Sequence, residues 1–92
     1  MIEVTHVRVF PFEPGYPEKS LRAYAEITLN GQLVLKGIKV FENSKGGVFI
    51  GYPSRPGRDD TWQDMVVPLD EGLKKTIRDA VVTAYKSERD SS

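Results

Sequence analysis

Leu21-Arg22-Ala23-Tyr24-Ala25-Glu26-Ile27-Thr28-Leu29, followed at once by Asn30-Gly31 and then by Leu33-Val34-Leu35-Lys36-Gly37-Ile38-Lys39-Val40-Phe41, decides the fold class. In the first run Leu21, Ala23, Ala25, Ile27 and Leu29 alternate with Arg22, Tyr24, Glu26 and Thr28. A period of two is that of a strand with one apolar face. Asparagine and glycine both tolerate positive φ, so Asn30-Gly31 between two apolar runs predicts a tight hairpin. The returning strand covers residues 33–41, and Gly37 inside it marks a bulge or a close backbone approach.

The same reading extends in both directions. Upstream, Val7 and Val9 alternate with His6 and Arg8, which makes residues 1–10 a strand; Val4 is out of step and places a bulge near Thr5. Pro11, Pro14, Gly15 and Pro17 make residues 11–20 a loop. Downstream, a turn at 43–47 leads into a strand at 48–52. A loop at 53–61 then carries Arg55 and Arg58, and a strand at 62–67 is ended by Pro68, which has no amide donor. The period then changes. Leu73, Ile77, Ala80, Val81, Ala84 and Tyr85 fall on one helical face, with Asp70 as the expected N-cap and Glu71 suited to the positive helix end. This predicts a helix over about 70–87 and a frayed tail at 88–92. The expected fold is α+β: one domain over residues 1–92, an antiparallel meander of four to five strands with one C-terminal helix. A single helix covers only part of one sheet face, so the remainder is either solvated or paired with another subunit.

Ninety-two residues suffice for one domain, and the 39% hydrophobic and 28% charged content is that of a globular chain. No apolar run approaches the roughly 20 residues of a membrane span, which argues against a membrane protein. The absence of cysteine excludes disulfides and thiolate metal sites. Strand-like sequence from the first residues, rather than a charged and apolar leader, fits an intracellular protein, although the lack of cysteine is also compatible with an exported one. The formal net charge is zero, but residues 32–58 hold Lys36, Lys39, Lys45, Arg55 and Arg58 against Glu42, a local charge of +4. A neutral total therefore hides a basic central segment.

No catalytic constellation is legible. His6 is the one histidine and cannot build a multi-histidine metal site. The serines lack a nucleophile-elbow context, and Gly46-Gly47 reads as a turn rather than a phosphate loop because no helix follows it. Asp59, Asp60 and Asp64 could bind a cation or pair as acid and base, but their spacing matches no ion loop and the solvated-turn reading is preferred. No metal, cofactor, small-molecule substrate or enzymatic activity is expected. Arg55 and Arg58 could each grip phosphate through paired hydrogen bonds, or neutralise the neighbouring aspartates; spacing does not choose between these. Lys74, Lys75, Arg78 and Lys86 lie off the apolar stripe and could contact phosphates, with Asp79 and Glu88 diluting them. Val82, also off the stripe, suggests a subunit contact. Tyr24, Phe41, Phe49, Tyr52 and Trp62 could stack on bases, although core or interface packing is the commoner use of such rings.

Ile27-Thr28-Leu29, Gly37-Ile38-Lys39-Val40, Gly47-Val48-Phe49-Ile50, Pro53-Ser54-Arg55, Asp64-Met65-Val66-Val67-Pro68 and Ile77-Arg78-Asp79-Ala80-Val81 with Tyr85 occur in an order that resembles the SpoVG family (stage V sporulation protein G, or septation protein SpoVG). Val4-Thr5-His6-Val7-Arg8 resembles that family's opening, so the likeness covers nearly the whole chain. The resemblance implies a bacterial cytoplasmic regulator of α+β fold, a homodimer formed through the sheets, and site-preferring binding to DNA and often to RNA. It implies effects on cell division, sporulation and the expression of surface genes. The family's basic positions fall here on Arg55 and, in the helix, on Lys75 and Arg78; Arg58 joins them from the local charge count. Two positions depart from the pattern, Pro56 directly after Pro53-Ser54-Arg55 and Gln63 before Asp64, and the loop at 11–20 looks longer than usual. The leading expectation is a dimeric nucleic-acid-binding regulator without catalytic activity. The alternative is a protein–protein adaptor in a regulatory or division assembly.

Overall fold

The computed structural model describes residues 1–11, 21–59 and 61–91. The expected proline-rich loop lies, apart from Pro11, outside the described residues, as does Asp60. Four strands form one antiparallel sheet in the order of the chain: β1 (Val4–Pro11), β2 (Leu21–Leu29), β3 (Leu33–Glu42) and β4 (Val48–Gly51). A second sheet has two short strands, β5 (Ser54–Pro56) and β6 (Trp62–Asp64). One helix, α1 (Glu71–Ser91), closes the chain.

The alternation of β2 is realised side by side in space. Ala23, Ala25 and Ile27 are buried with Ile38 and Val40 of β3, and Ile77, Val81 and Tyr85 of α1 complete the core. The two alanines carry little side-chain bulk at the centre of that face, which lets the helix lie close over the sheet. Ile27, Ile38, Val40 and Val81 have essentially no exposed surface. Burial of an aliphatic side chain of this kind is worth roughly 1.5–3 kcal/mol relative to exposure, so these four residues carry a large share of the fold's stability.

The hairpin turn is made as the sequence demands. Asn30 and Gly31 have φ of 53° and 64°, and the Gln32 amide donates to the Leu29 carbonyl at 2.9 Å. The bulge near Thr5 is present as a register shift between Val4 and His6. Its consequence is a clamp on the turn: the Thr5 hydroxyl donates to the Thr28 carbonyl at 3.1 Å and accepts from the Gly31 amide at 2.9 Å. A second bulge falls at Gly37, where pairing moves from Ala25–Ile38 to Ile27–Leu35 and φ is 87°. A Cβ built on Gly37 would lie 3.6 Å from the Pro53 ring, so the position is also a close approach.

Four expectations are corrected. The segment expected as one loop at 53–61 contains β5, and the strand expected over 62–67 stops at Asp64. These strands pair with each other, Ser54 with Asp64 and Pro56 with Trp62, and do not extend the main meander. Pro53 explains the break, because its missing amide donor ends the β4 ladder and turns the chain back. The helix runs to Ser91, past the expected end near 87. Its last turns are held to the sheet by Arg89, whose guanidinium lies 3.0 Å from the Glu42 carboxylate and over the Tyr85 ring. Val82, expected to be exposed, is half-buried.

Candidate nucleic-acid interface

The β5–β6 hairpin presents the loop arginines. Arg55 sits on β5 opposite Gln63, and Arg58 follows in the turn that the Gly57 amide closes onto the Thr61 carbonyl. Both side chains are exposed, and neither forms an ion pair among the described residues. They line one shallow concavity with Pro56, Gly57, Asp59 and Gln63. The two positions that depart from the family pattern, Pro56 and Gln63, are thus neighbours of the arginines on the same hairpin. Among the described residues no three histidine, aspartate or glutamate side chains lie close enough to hold a metal ion.

The hairpin is anchored at β3. Pro53 packs on Gly37, the Met65 amide donates to the Pro53 carbonyl at 2.7 Å, and the Lys39 ammonium lies 5.4 Å from the Trp62 ring centroid. Ile38 and Val40 are buried under the helix, so Lys39 between them belongs to the opposite, open face. That face also carries Phe10 and Tyr24, paired across β1 and β2, and Phe41 and Phe49, paired across β3 and β4. Phe10, Tyr24, Phe49 and Trp62 are all exposed, from 41% for Tyr24 to 67% for Trp62. Cations are interleaved with them: Arg8 stacks on Phe10 at 5.2 Å and stands 3.8 Å from Glu26.

Lys75 and Arg78 lie on α1, on the other side of the sheet. The structure therefore does not bring the four candidate cations together within one chain. Both helix cations share a partner: Lys75 Nζ is 3.0 Å from Asp79 Oδ2 and Arg78 Nε 3.4 Å from Asp79 Oδ1. The hydrogen bond from Lys75 is the main reason the Asp79 carboxyl is held below the usual carboxylate range, with Arg78 adding to it. The basic segment 32–58 is likewise spread out. Lys36 lies on β3 and Lys45 in the turn that follows it, with Lys39 between them in sequence on the open face, and Glu42 is occupied by Tyr85 and Arg89.

Lys74, named from the sequence among the helix cations that could contact phosphates, and Tyr52, named among the rings that could stack on bases, share a cleft with Arg78. Lys74 and Tyr52 line it together with Val48, Phe49 and Ile50, at the edge of β4 beside α1, in a volume of about 250 Å³. Burial pushes the Tyr52 hydroxyl above its ordinary value, and the nearby Arg78 charge opposes that shift. Lys74 was legible only as one cation among several on the helix, and Tyr52 only as an aromatic ring; their convergence depends on how α1 crosses β4.

The ordered motifs now sit on one continuous fold, and the sequence profile of the SpoVG family matches residues 2–87. The chain belongs to the SpoVG family. A protein of Archaeoglobus fulgidus described as "putative septation protein SpoVG" is 34% identical over 88 residues, covering 96% of this chain and 99% of the relative. Relatives with the same description from Bdellovibrio bacteriovorus and Agathobacter rectalis are 33% and 30% identical, each over 87 residues and 95% of this chain, covering 76% and 95% of their own lengths. The SpoVG match includes β1, the arginine hairpin and most of α1, so every candidate cation falls inside it. Among the described residues, no helix is long and apolar enough to cross a membrane.

Proposed function

We propose that this protein is a non-enzymatic, homodimeric nucleic-acid-binding regulator of the cytoplasm, acting on septation, as the names of its relatives suggest. The observation that carries the reading is the arginine hairpin. Arg55 and Arg58 stand exposed and without ion pairs among the described residues, on one concavity of a hairpin anchored at β3. Guanidinium groups so placed suit the fork geometry of phosphate contacts. Lys75 and Arg78 would add weaker contacts, because Asp79 already neutralises part of their charge. The dimer would form through the open sheet face, where Phe10 and Tyr24 are exposed side by side. Two copies would place two arginine hairpins on one assembly.

The test is a fluorescence titration of labelled DNA and RNA, single-stranded and duplex, across a range of salt. Each phosphate contact steepens the fall of affinity with salt, by about 0.9 in the logarithmic slope for duplex DNA and about 0.7 for single strands. Arg55→Ala with Arg58→Ala is expected to weaken binding and to flatten that slope. Unchanged affinity and slope would remove the hairpin from the interface. The adaptor reading is favoured by the sharing of Asp79 between Lys75 and Arg78. Absence of nucleic-acid binding even at low salt would decide for it.

A further inference from the structure

The cleft between β4 and α1 has a composition that neither the hairpin nor the core explains. β4 is the outer strand of the sheet, so its far edge has no strand beside it among the described residues. Val48 and Ile50 pack partly against the core from β4, and Tyr52 follows them on the same side. Above them stand Lys74 and Arg78, four residues apart and hence on the same face of α1. The result is a small concavity with an apolar floor, two cationic groups on one wall and a phenolic hydroxyl on the other.

The charges are differently committed. Lys74 is held loosely by Glu71 at 3.4 Å, an exposed pair of the kind that contributes little. Arg78 meets Asp79 through Nε at 3.4 Å, a contact that leaves the terminal nitrogens of the guanidinium available. Lys75, although adjacent in sequence, does not line the cleft and makes the tighter bond to Asp79 at 3.0 Å. The Tyr52 hydroxyl stays protonated through the physiological range, so toward an anion it acts as a neutral donor.

We infer that this cleft seats one backbone phosphate of the bound nucleic acid, with Lys74 and Arg78 supplying the charge and Tyr52 a directional hydrogen bond. The inference rests on the nucleic-acid reading and assigns it a second contact region. It also addresses the separation of the candidate cations. The arginine hairpin is anchored on the open face at β3, and the cleft lies on the helix side of the neighbouring edge strand, β4. A strand of nucleic acid that turns around the β4 edge would meet both. Lys74 is then the helix lysine with the stronger phosphate contact, and Lys75 the one with the weaker.

Three conservative variants, Lys74→Gln, Lys75→Gln and Tyr52→Phe, separate the contributions. Each is to be titrated against a labelled single-stranded DNA, its duplex and the same RNA sequence at several salt concentrations, with adenosine monophosphate as competitor. Lys74→Gln is expected to weaken binding about tenfold at low salt and to reduce the logarithmic salt slope by about 0.7–0.9, the loss of one phosphate contact. Lys75→Gln is expected to change affinity less than twofold. Tyr52→Phe is expected to weaken binding several-fold with the slope unchanged, since the lost donor is uncharged, and with an unchanged melting temperature. Competition by the mononucleotide only at millimolar concentration supports a seat for polymer phosphate; tight mononucleotide binding would overturn that assignment in favour of a free nucleotide. Wild-type affinity and slope in both Lys74→Gln and Tyr52→Phe, while the Arg55 and Arg58 variants lose binding, would overturn the cleft and leave the hairpin reading standing. No binding by the unaltered protein at low salt would overturn both.

Discussion

The Tyr85 hydroxyl donates to the Glu42 carboxylate at 2.8 Å and so ties the last third of the helix to the end of β3. Arg89 completes the arrangement from one turn further on, 3.0 Å from the other carboxylate oxygen. Tyr85 belongs to the buried core, whereas Glu42 is half-buried, and the hydrogen bond lets the ring enter the core without leaving its hydroxyl unsatisfied.

Removing that hydroxyl tests its contribution. Tyr85→Phe keeps the ring and leaves the Arg89–Glu42 pair in place. A hydrogen bond to a charged partner is worth about 1.5–3 kcal/mol at most, and partial solvent access lowers this to about 1–2 kcal/mol, read from urea denaturation. Burial first, and then the Glu42 hydrogen bond and charge, push the Tyr85 hydroxyl up to about 12 from an ordinary 10.0. The folded state thus holds this proton more tightly than the unfolded one. The associated stability is fully present below pH 10 and is lost as pH rises through about 12. The melting temperature of the wild type should fall over that window, with a smaller fall in Tyr85→Phe.

The cap at the start of the helix is a second local test. Asp70 Oδ2 accepts from the Leu73 amide at 2.8 Å, and its backbone carbonyl accepts from the Lys74 amide at 3.0 Å. Asp70→Ala removes the first and keeps the second. The expected loss is about 1 kcal/mol, whereas Asp70→Asn should stay within a few tenths of the wild type. Equal losses in the two variants would show that charge rather than the cap geometry is responsible.

Gly37 isolates backbone strain from crowding. A Cβ there would meet Pro53 at 3.6–3.7 Å, an ordinary contact, but φ of 87° is unfavourable for any L side chain. Gly37→Ala is expected to cost about 1–3 kcal/mol with Trp62 fluorescence unchanged, because the hairpin need not move. A shifted Trp62 emission would mean instead that Pro53 is displaced and the hairpin released.

How much of this was readable in advance follows from the range of each interaction. The alternation of β2, the Asn30-Gly31 turn, the bulge at Thr5 and the Asp70 cap depend on neighbours in sequence, and each appears where the pattern put it. The pairing of β5 with β6 was missed because three-residue strands have too few alternations to register, and Pro53 and Pro56 read as loop. The helix end was misplaced because what extends it is Arg89 reaching Glu42, 47 residues away. The four candidate cations were legible as residue types, but their distribution over two sides of the sheet was not. The +4 of residues 32–58 is a property of the chain order and is dispersed over β3, the turn after it and the β5–β6 hairpin. The exchange of Lys75 for Lys74 in the cleft likewise depends on which helix face meets β4, a matter of about 100° of rotation per residue.

The open face supplies the test on which the proposed assembly depends. Phe10 and Tyr24 stand opposite each other on β1 and β2, clear of the core, with Arg8 stacked on Phe10. If a second copy covers them, Phe10→Asp buries a carboxylate in the interface and should dissociate the dimer while leaving the fold intact, because Phe10 is 44% exposed in the single chain. Sedimentation should show a dimer for the wild type at micromolar concentration and a monomer for the variant, with circular dichroism unchanged. Nucleic-acid binding should then weaken, and the salt slope should fall toward half, because one hairpin rather than two meets the phosphates. A wild type that sediments as a monomer would remove the pooling of the two hairpins; so would a dimeric Phe10→Asp whose binding is unchanged, since the interface would then lie elsewhere.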